Sequence, residues 1–215
     1  RCWVKEKDTV EVYTTENEQV DAVRRFFAEN GKALAIGVVL GIVALGGWRV
    51  WQSHQDSALT EASASFQKAN QALTSKNPQG VAELEKFGQS NDNNYGVFAA
   101  LQLADHFVEI KDFANAEKQL LQGQSQAKED NLRSLVNLRL ARVQMQQGKF
   151  DDALKTLDGV KGEGWTAMQQ GIRGDVLLAK GDAKGAREAF SKGLESKPSQ
   201  TLQTMLRMKL NNLAS

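Results

Sequence analysis

Sixteen consecutive residues, 33–48, lie between Lys32 and Arg49 with no charged, amide or hydroxyl side chain. A helix on the surface of a soluble domain keeps one polar face, so a run that is apolar on every side predicts a helix surrounded by lipid. That run would rise roughly 24 Å as a helix, against about 30 Å for a hydrocarbon core. The flanks close the difference. Lys32 and Arg49 can extend their charged heads to the headgroups, and Trp48 and Trp51 carry rings that favour the interface. The pattern therefore predicts a transmembrane helix over residues 32–51, with the lipid bilayer as its first partner. A cleaved signal peptide is the main rival, because Ala44-Leu45-Gly46 has small residues at cleavage spacing. The long region before the run, and the arginine and two tryptophans at its end, favour a retained anchor.

Residues 14–31, "TTENEQVDAVRRFFAENG", read as a short amphipathic helix. Thr15 and Glu18 have capping-box spacing; Val20, Val23 and Phe27 share a face; Gly31 is placed to end the helix. Two readings stay open: a helix running straight into the apolar segment, or one lying on the membrane surface. Residues 1–10 show no pattern and read as an unassigned leader. Arg24, Arg25 and Lys32 precede the apolar run closely, whereas Arg49 alone follows it closely. The positive-inside rule then makes residues 11–31 cytoplasmic and places 52–215 across the membrane. Gly37 and Gly41 form a G-x-x-x-G pair, read either as a helix-packing face or as ordinary membrane glycine.

Beyond the anchor the pattern changes to helical periodicity cut by short breakers. These fall at residues 76–80, 89–94, 148, 161–164, 181–182 and 197–199. Three stretches align: "LADHFVEIKDFANAEKQLLQG", "LARVQMQQGKFDDALKTLDGV" and "RGDVLLAKGDAKGAREAFSKGLESKP". Each sets a tight turn between two helices, at Lys111-Asp112, Gly148-Lys149 and Gly181-Asp182. An alanine follows, at 116, 153 and 186, and a large apolar residue comes four later, at Leu120, Leu157 and Phe190. The spacing resembles the tetratricopeptide repeat, with its period of about 34. Residues 56–90 read as a further, degenerate hairpin with Ala62, Phe66, Ala69 and Leu73 as its stripe, and 200–213 as a capping helix. The predicted fold class is all-α: one N-terminal transmembrane helix, then a tetratricopeptide-like helical solenoid over 52–215.

Composition sharpens this reading. Lys and Arg total 27 against 26 Asp and Glu, interspersed, which excludes the clustered basic face of a nucleic-acid binder. A single cysteine, Cys2, allows no internal disulfide. Neither His54 nor His106 has metal-ligand spacing, and no nucleophile elbow, P-loop or dinucleotide fingerprint occurs. No catalysis, cofactor or metal is therefore expected. A repeat array offers instead a concave groove lined by the first helix of each hairpin. In the repeat frame Gln102, Asp105, Arg139, Arg142 and Gln146 point into it. Arg139 and Arg142 share a helix face. They could grip a carboxylate, or could simply be solvated arginines paired with nearby acids.

The segments "AVRRFFAENGKALAIGVVLG" (22–41), "NNYGVFAALQLA" (93–104), "NLRLARVQ" (137–144), "ALKTLDGVKGEGW" (153–165) and "MKLNNL" (208–213) resemble the YfgM-like family of ancillary SecYEG translocon subunits. The likeness runs from near Glu11 to the C-terminus and leaves out residues 1–10. It implies a bacterial inner-membrane protein with one span, a cytoplasmic N-terminus and a periplasmic repeat domain. It also implies the SecYEG translocon, a membrane-anchored periplasmic chaperone of the prolyl-isomerase type and newly exported polypeptides as partners. No catalytic residue comes with the resemblance. The alternative is a membrane-anchored scaffold for another envelope complex, without a chaperone role.

Overall fold

The computed structural model describes residues 11–75 and 77–213, so the leader at 1–10 lies outside the described residues. The chain divides into two compact units, the first ending at Leu59 and the second beginning at Thr60.

The described part of the first unit is a single element, the long helix α1 (Glu11–Thr74), as far as Leu59. Of the two readings left open, its course is the one in which the N-terminal helix runs straight into the apolar segment, and it corrects two details. The helix passes Gly31 without a break, and Thr15 lies inside it, not at its cap. A glycine costs a helix interior only about 1 kcal/mol, and apolar helix formers follow at once, so propagation wins over termination. The apolar run has no partner within the chain. Its described large side chains are exposed, from 58% at Val39 to 72% at Leu45. An apolar band of that size is untenable in water, and α1 is long and apolar enough here to cross a membrane. An added Cβ at Gly37 or Gly41 would meet nothing within 4 Å, so the glycine pair faces open space. At the band's end the Trp48 and Trp51 rings sit 5.6 Å apart, and Trp48 Nε1 donates to Gln52 Oε1 at 3.1 Å.

The second unit is built from the C-terminal end of α1 and eight further helices among the described residues. These are α2 (Gly80–Ser90), α3 (Asn94–Glu109), α4 (Phe113–Gln126), α5 (Asp130–Gln146), α6 (Phe150–Asp158), α7 (Thr166–Ala179), α8 (Ala183–Glu195) and α9 (Gln200–Asn212). A short 3₁₀ turn at Glu163–Trp165 leads into α7. Each alanine of the repeat pattern is fully buried, as are Leu157 and Phe190, and Leu120 is 1% exposed. The small residue lets the second helix of each hairpin sit against the first, and the large one fills the space beyond it. Ala62 and Ala69 are buried, and Phe66 and Leu73 pack against the Leu84–Val97–Leu103 core. The core is a series of three clusters along the array, centred on Leu120 and Leu140, on Leu157 and Val176, and on Phe190 and Leu206. That is the nearest-neighbour packing of a repeat protein.

The three turns share one backbone solution. The N–H of Asp112, Lys149 and Asp182 donates to the carbonyl of Phe107, Gln144 and Leu177, at 2.8, 2.9 and 2.8 Å. The preceding residue, in the left-handed region, closes a second bond to Val108, Met145 or Leu178. This is the Schellman ending, which satisfies helix carbonyls and favours glycine. Gly148 (φ 72°) and Gly181 (φ 92°) supply it, but the first turn uses Lys111 (φ 60°). A side chain there costs about 1 kcal/mol. Lys111→Gly is therefore expected to raise stability by about 1 kcal/mol, while Gly148→Ala and Gly181→Ala each lower it by about 1–2 kcal/mol. No atom lies within 4 Å of either added Cβ, so those losses are conformational alone. Urea unfolding of the three variants checks the opposite signs.

Candidate interaction cleft

A cleft of about 550 Å³ opens between the second and third hairpins of the unit. Its wall is apolar where helices meet: Ala104 and Val108 from α3, Phe113 and Leu120 from α4, Val143 from α5. Its rim is polar and mostly cationic: Asp105, Arg139, Arg142 and Gln146, with Lys111 from the turn. The helical repeat explains the arrangement. Asp105 and Val108 share one face of α3, and Arg139, Arg142, Val143 and Gln146 share one face of α5.

Four of the five residues expected in the groove thus line this cleft. Gln102 is exposed on α3 but is not among the lining residues. Arg139 is not free. Its Nη1 donates to both carboxylate oxygens of Asp105 at 2.8 Å, across 34 residues, one full repeat. The pair is half exposed and contributes no more than about 1 kcal/mol, but it fixes the register of α5 against α3. Arg142 and Lys111 are different. Both are exposed, and neither side chain has a hydrogen-bond or ion-pair partner among the described residues. The rim holds one carboxylate against three cations, and that carboxylate is already paired.

Sequence reading missed what braces the cleft wall. Glu117 on α4 is 9% exposed and carries three donors: Lys149 Nζ at 2.6 Å, Gln147 Nε2 at 2.8 Å and Gln144 Nε2 at 3.4 Å. Gln147 also donates to the backbone carbonyl of Phe113 at 3.3 Å, so the network holds a wall residue in place. Thr156 on α6 extends it by donating to Gln144 Oε1 at 2.8 Å. Burial pushes the Glu117 carboxyl up, but the bonds from Lys149, Gln147 and Gln144, with the Lys149 charge, outweigh it and hold it below its ordinary 4.5. A carboxylate depressed on folding stabilises the fold above its unfolded value, and that contribution is lost as pH falls through the folded value. Glu117→Gln is expected to cost about 1–3 kcal/mol at neutral pH and to flatten the loss of stability below about pH 4.5. Urea midpoints from neutral to acid pH check both.

Other candidate chemistry stays separate. His106 is half-buried on α3 beside Phe107, with ring centres 5.6 Å apart. Asp151, in the first turn of α6, pairs with Lys180 at 2.5 Å. Among the described residues no group of three His, Cys, Asp or Glu side chains could hold a metal ion.

Residues 24–215 match the family model of a tetratricopeptide repeat-like domain. A protein of Escherichia coli K12 named ancillary SecYEG translocon subunit is 49% identical over 205 residues, covering 95% of this chain and 100% of its own. The Haemophilus influenzae protein of the same name is 38% identical, covering 94% and 99%. That of Neisseria gonorrhoeae is 28% identical, covering 92% and 97%. No solved structure matches.

Proposed function

We propose that this chain, which belongs to the tetratricopeptide repeat-like family of ancillary SecYEG translocon subunits, is a non-catalytic accessory of the Sec translocon held in the bacterial inner membrane. The observation that carries the reading is the 49% identity to the Escherichia coli subunit over that protein's whole length, apolar run and repeats included. The span is residues 32–51, with 11–31 in the cytoplasm and 52–215 in the periplasm. The balance of Arg24, Arg25 and Lys32 against Arg49 supports that direction. The repeat unit is an adaptor. It presents a docking cleft beside the exit of the translocon and links the channel to a membrane-anchored periplasmic chaperone of the prolyl-isomerase type, assisting newly exported polypeptides. A rigid array with unpaired rim charges suits binding.

A photo-crosslinking residue placed in turn at Gln102, Asp105, Arg139 and Arg142, in native membranes, tests this. Translocon subunits and the chaperone are the expected captures. Recovery of only cell-division or outer-membrane assembly proteins would replace the reading with an envelope scaffold. Capture from convex positions alone would move the binding face.

A further inference from the structure

Lys111 occupies the one repeat turn of the three that keeps a side chain in a left-handed backbone, where the sister turns use Gly148 and Gly181. Glycine would form the same two hydrogen bonds with less strain, so the turn itself does not explain the lysine. Strain that the fold does not require points to a role for the side chain. Lys111 lines the cleft at its rim, beside an apolar wall that includes Val108 and Phe113. Arg142 is the other rim cation without a partner, whereas Arg139 is neutralised by Asp105. Val108 itself is 39% exposed, and Ile110, beside the lysine in sequence, is 58% exposed.

We infer that the cleft binds a short peptide segment in which a carboxylate neighbours an aliphatic or aromatic side chain, with Lys111 and Arg142 taking the carboxylate and the Val108–Phe113–Val143 wall taking the apolar group. This deepens the adaptor reading and rests on it for the claim that the cleft is an interaction site. The charge and the apolar wall act together. Unpaired cations on an open rim select an acidic partner and attract it from a distance. The apolar wall supplies contact that salt does not screen. A basic or purely polar peptide lacks one or both. Arg139 positions the rim and is not a ligand, since Asp105 holds its guanidinium.

The experiment uses the full chain in nanodiscs and two fluorescent peptides, one carrying Asp-Leu-Phe-Glu and one its Asn-Leu-Phe-Gln counterpart. Anisotropy titrations are expected to show the acidic peptide binding about fivefold or more tighter than the amide, with the difference shrinking as salt rises. Arg142→Gln and Lys111→Gly are each expected to weaken it about fivefold, while Lys192→Gln, on α8, leaves it unchanged. Lys111→Gly should do so while raising the urea midpoint, which a damaged fold cannot imitate. Equal affinity for the two peptides, no binding of the acidic one, or full affinity in both cleft variants would overturn the inference. Co-purification of the same variants with translocon subunits separates the two claims. An intact association without peptide binding sinks the peptide and spares the adaptor, whereas peptide binding without any association does the reverse.

Discussion

The pair of substitutions Leu40→Arg and Val43→Arg is expected to remove the chain from membranes. Both residues lie in the middle of the exposed apolar run of α1, 63% and 64% exposed, with no buried neighbour to lose. Near the centre of a span each leucine, isoleucine, phenylalanine or valine favours insertion by about 0.3–0.6 kcal/mol, and each arginine opposes it by about 2.5–3.5 kcal/mol. Two such replacements therefore shift insertion by about 6–8 kcal/mol. A sixteen-residue run rich in alanine and glycine has no reserve of that size, and it is already short for the hydrocarbon core. Lys32 and Arg49 can reach the headgroups from the ends, but an arginine at the middle cannot. Carbonate extraction followed by flotation measures the outcome: native chain in the membrane fraction, variant in the supernatant. Leu59→Arg, also exposed but outside the run, should leave the chain in the membrane. None of the three cores of the repeat unit contains Leu40 or Val43, so its melting should not change. A double variant that floats with membranes would show that some other feature holds the chain there.

The features legible in the sequence were those repeated at a fixed interval. Ala116, Ala153 and Ala186 could be singled out because one packing problem recurs, and a repeat states its solution several times. The turns were legible for the same reason, including the lysine that departs from the pattern. The helix end expected at Gly31 was not found. Glycine ends a helix only where a left-handed residue and a returning chain satisfy the last carbonyls, and nothing after Gly31 folds back. Thr15 failed likewise as a cap: Thr-x-x-Glu spacing recurs by chance in polar helices, and here helix begins upstream of it.

The site was legible in part for a different reason. Helical phase placed Asp105, Arg139, Arg142 and Gln146 on facing surfaces, but phase does not say which charges pair. Asp105 and Arg139 join because they stand one repeat apart, where adjacent first helices bring equivalent turns together; Lys209 and Asp175 pair at the same 34-residue interval. The Glu117 network had no such signal. Its donors come from positions 27 to 32 residues away, at the end of α5 and in the turn after it, and only the packed hairpins bring them to one carboxylate. Lys149 at that turn reads as an ordinary solvated residue until the burial of Glu117 is known.

Gly174→Ala should be among the most damaging single-atom additions in the repeat unit, although it puts a better helix former inside α7. At an exposed helix position the same change would stabilise by about 1 kcal/mol. Here the added Cβ would lie 2.2, 2.5 and 2.7 Å from three ring carbons of Phe190. Phe190 is fully buried, and the cluster around it joins α7, α8 and α9 through Leu206 and Leu177. Its ring also has Lys209 Nζ 5.6 Å from its centre, and that ammonium is tied to Asp175. The ring therefore cannot swing aside without disturbing a second helix. Relief requires α8 to move off α7, which opens the third core cluster, and overpacking of this kind costs about 1–3 kcal/mol or more. Phe190→Leu alone should cost about 1–2 kcal/mol by leaving space over Gly174. The double variant should then be less unstable than the sum of the two, because the shorter side chain makes room for the new methyl. Urea unfolding of the native chain, both single variants and the double variant closes the cycle. Strict additivity would mean that Gly174 and Phe190 do not touch, and that α8 is held against α7 by some other contact.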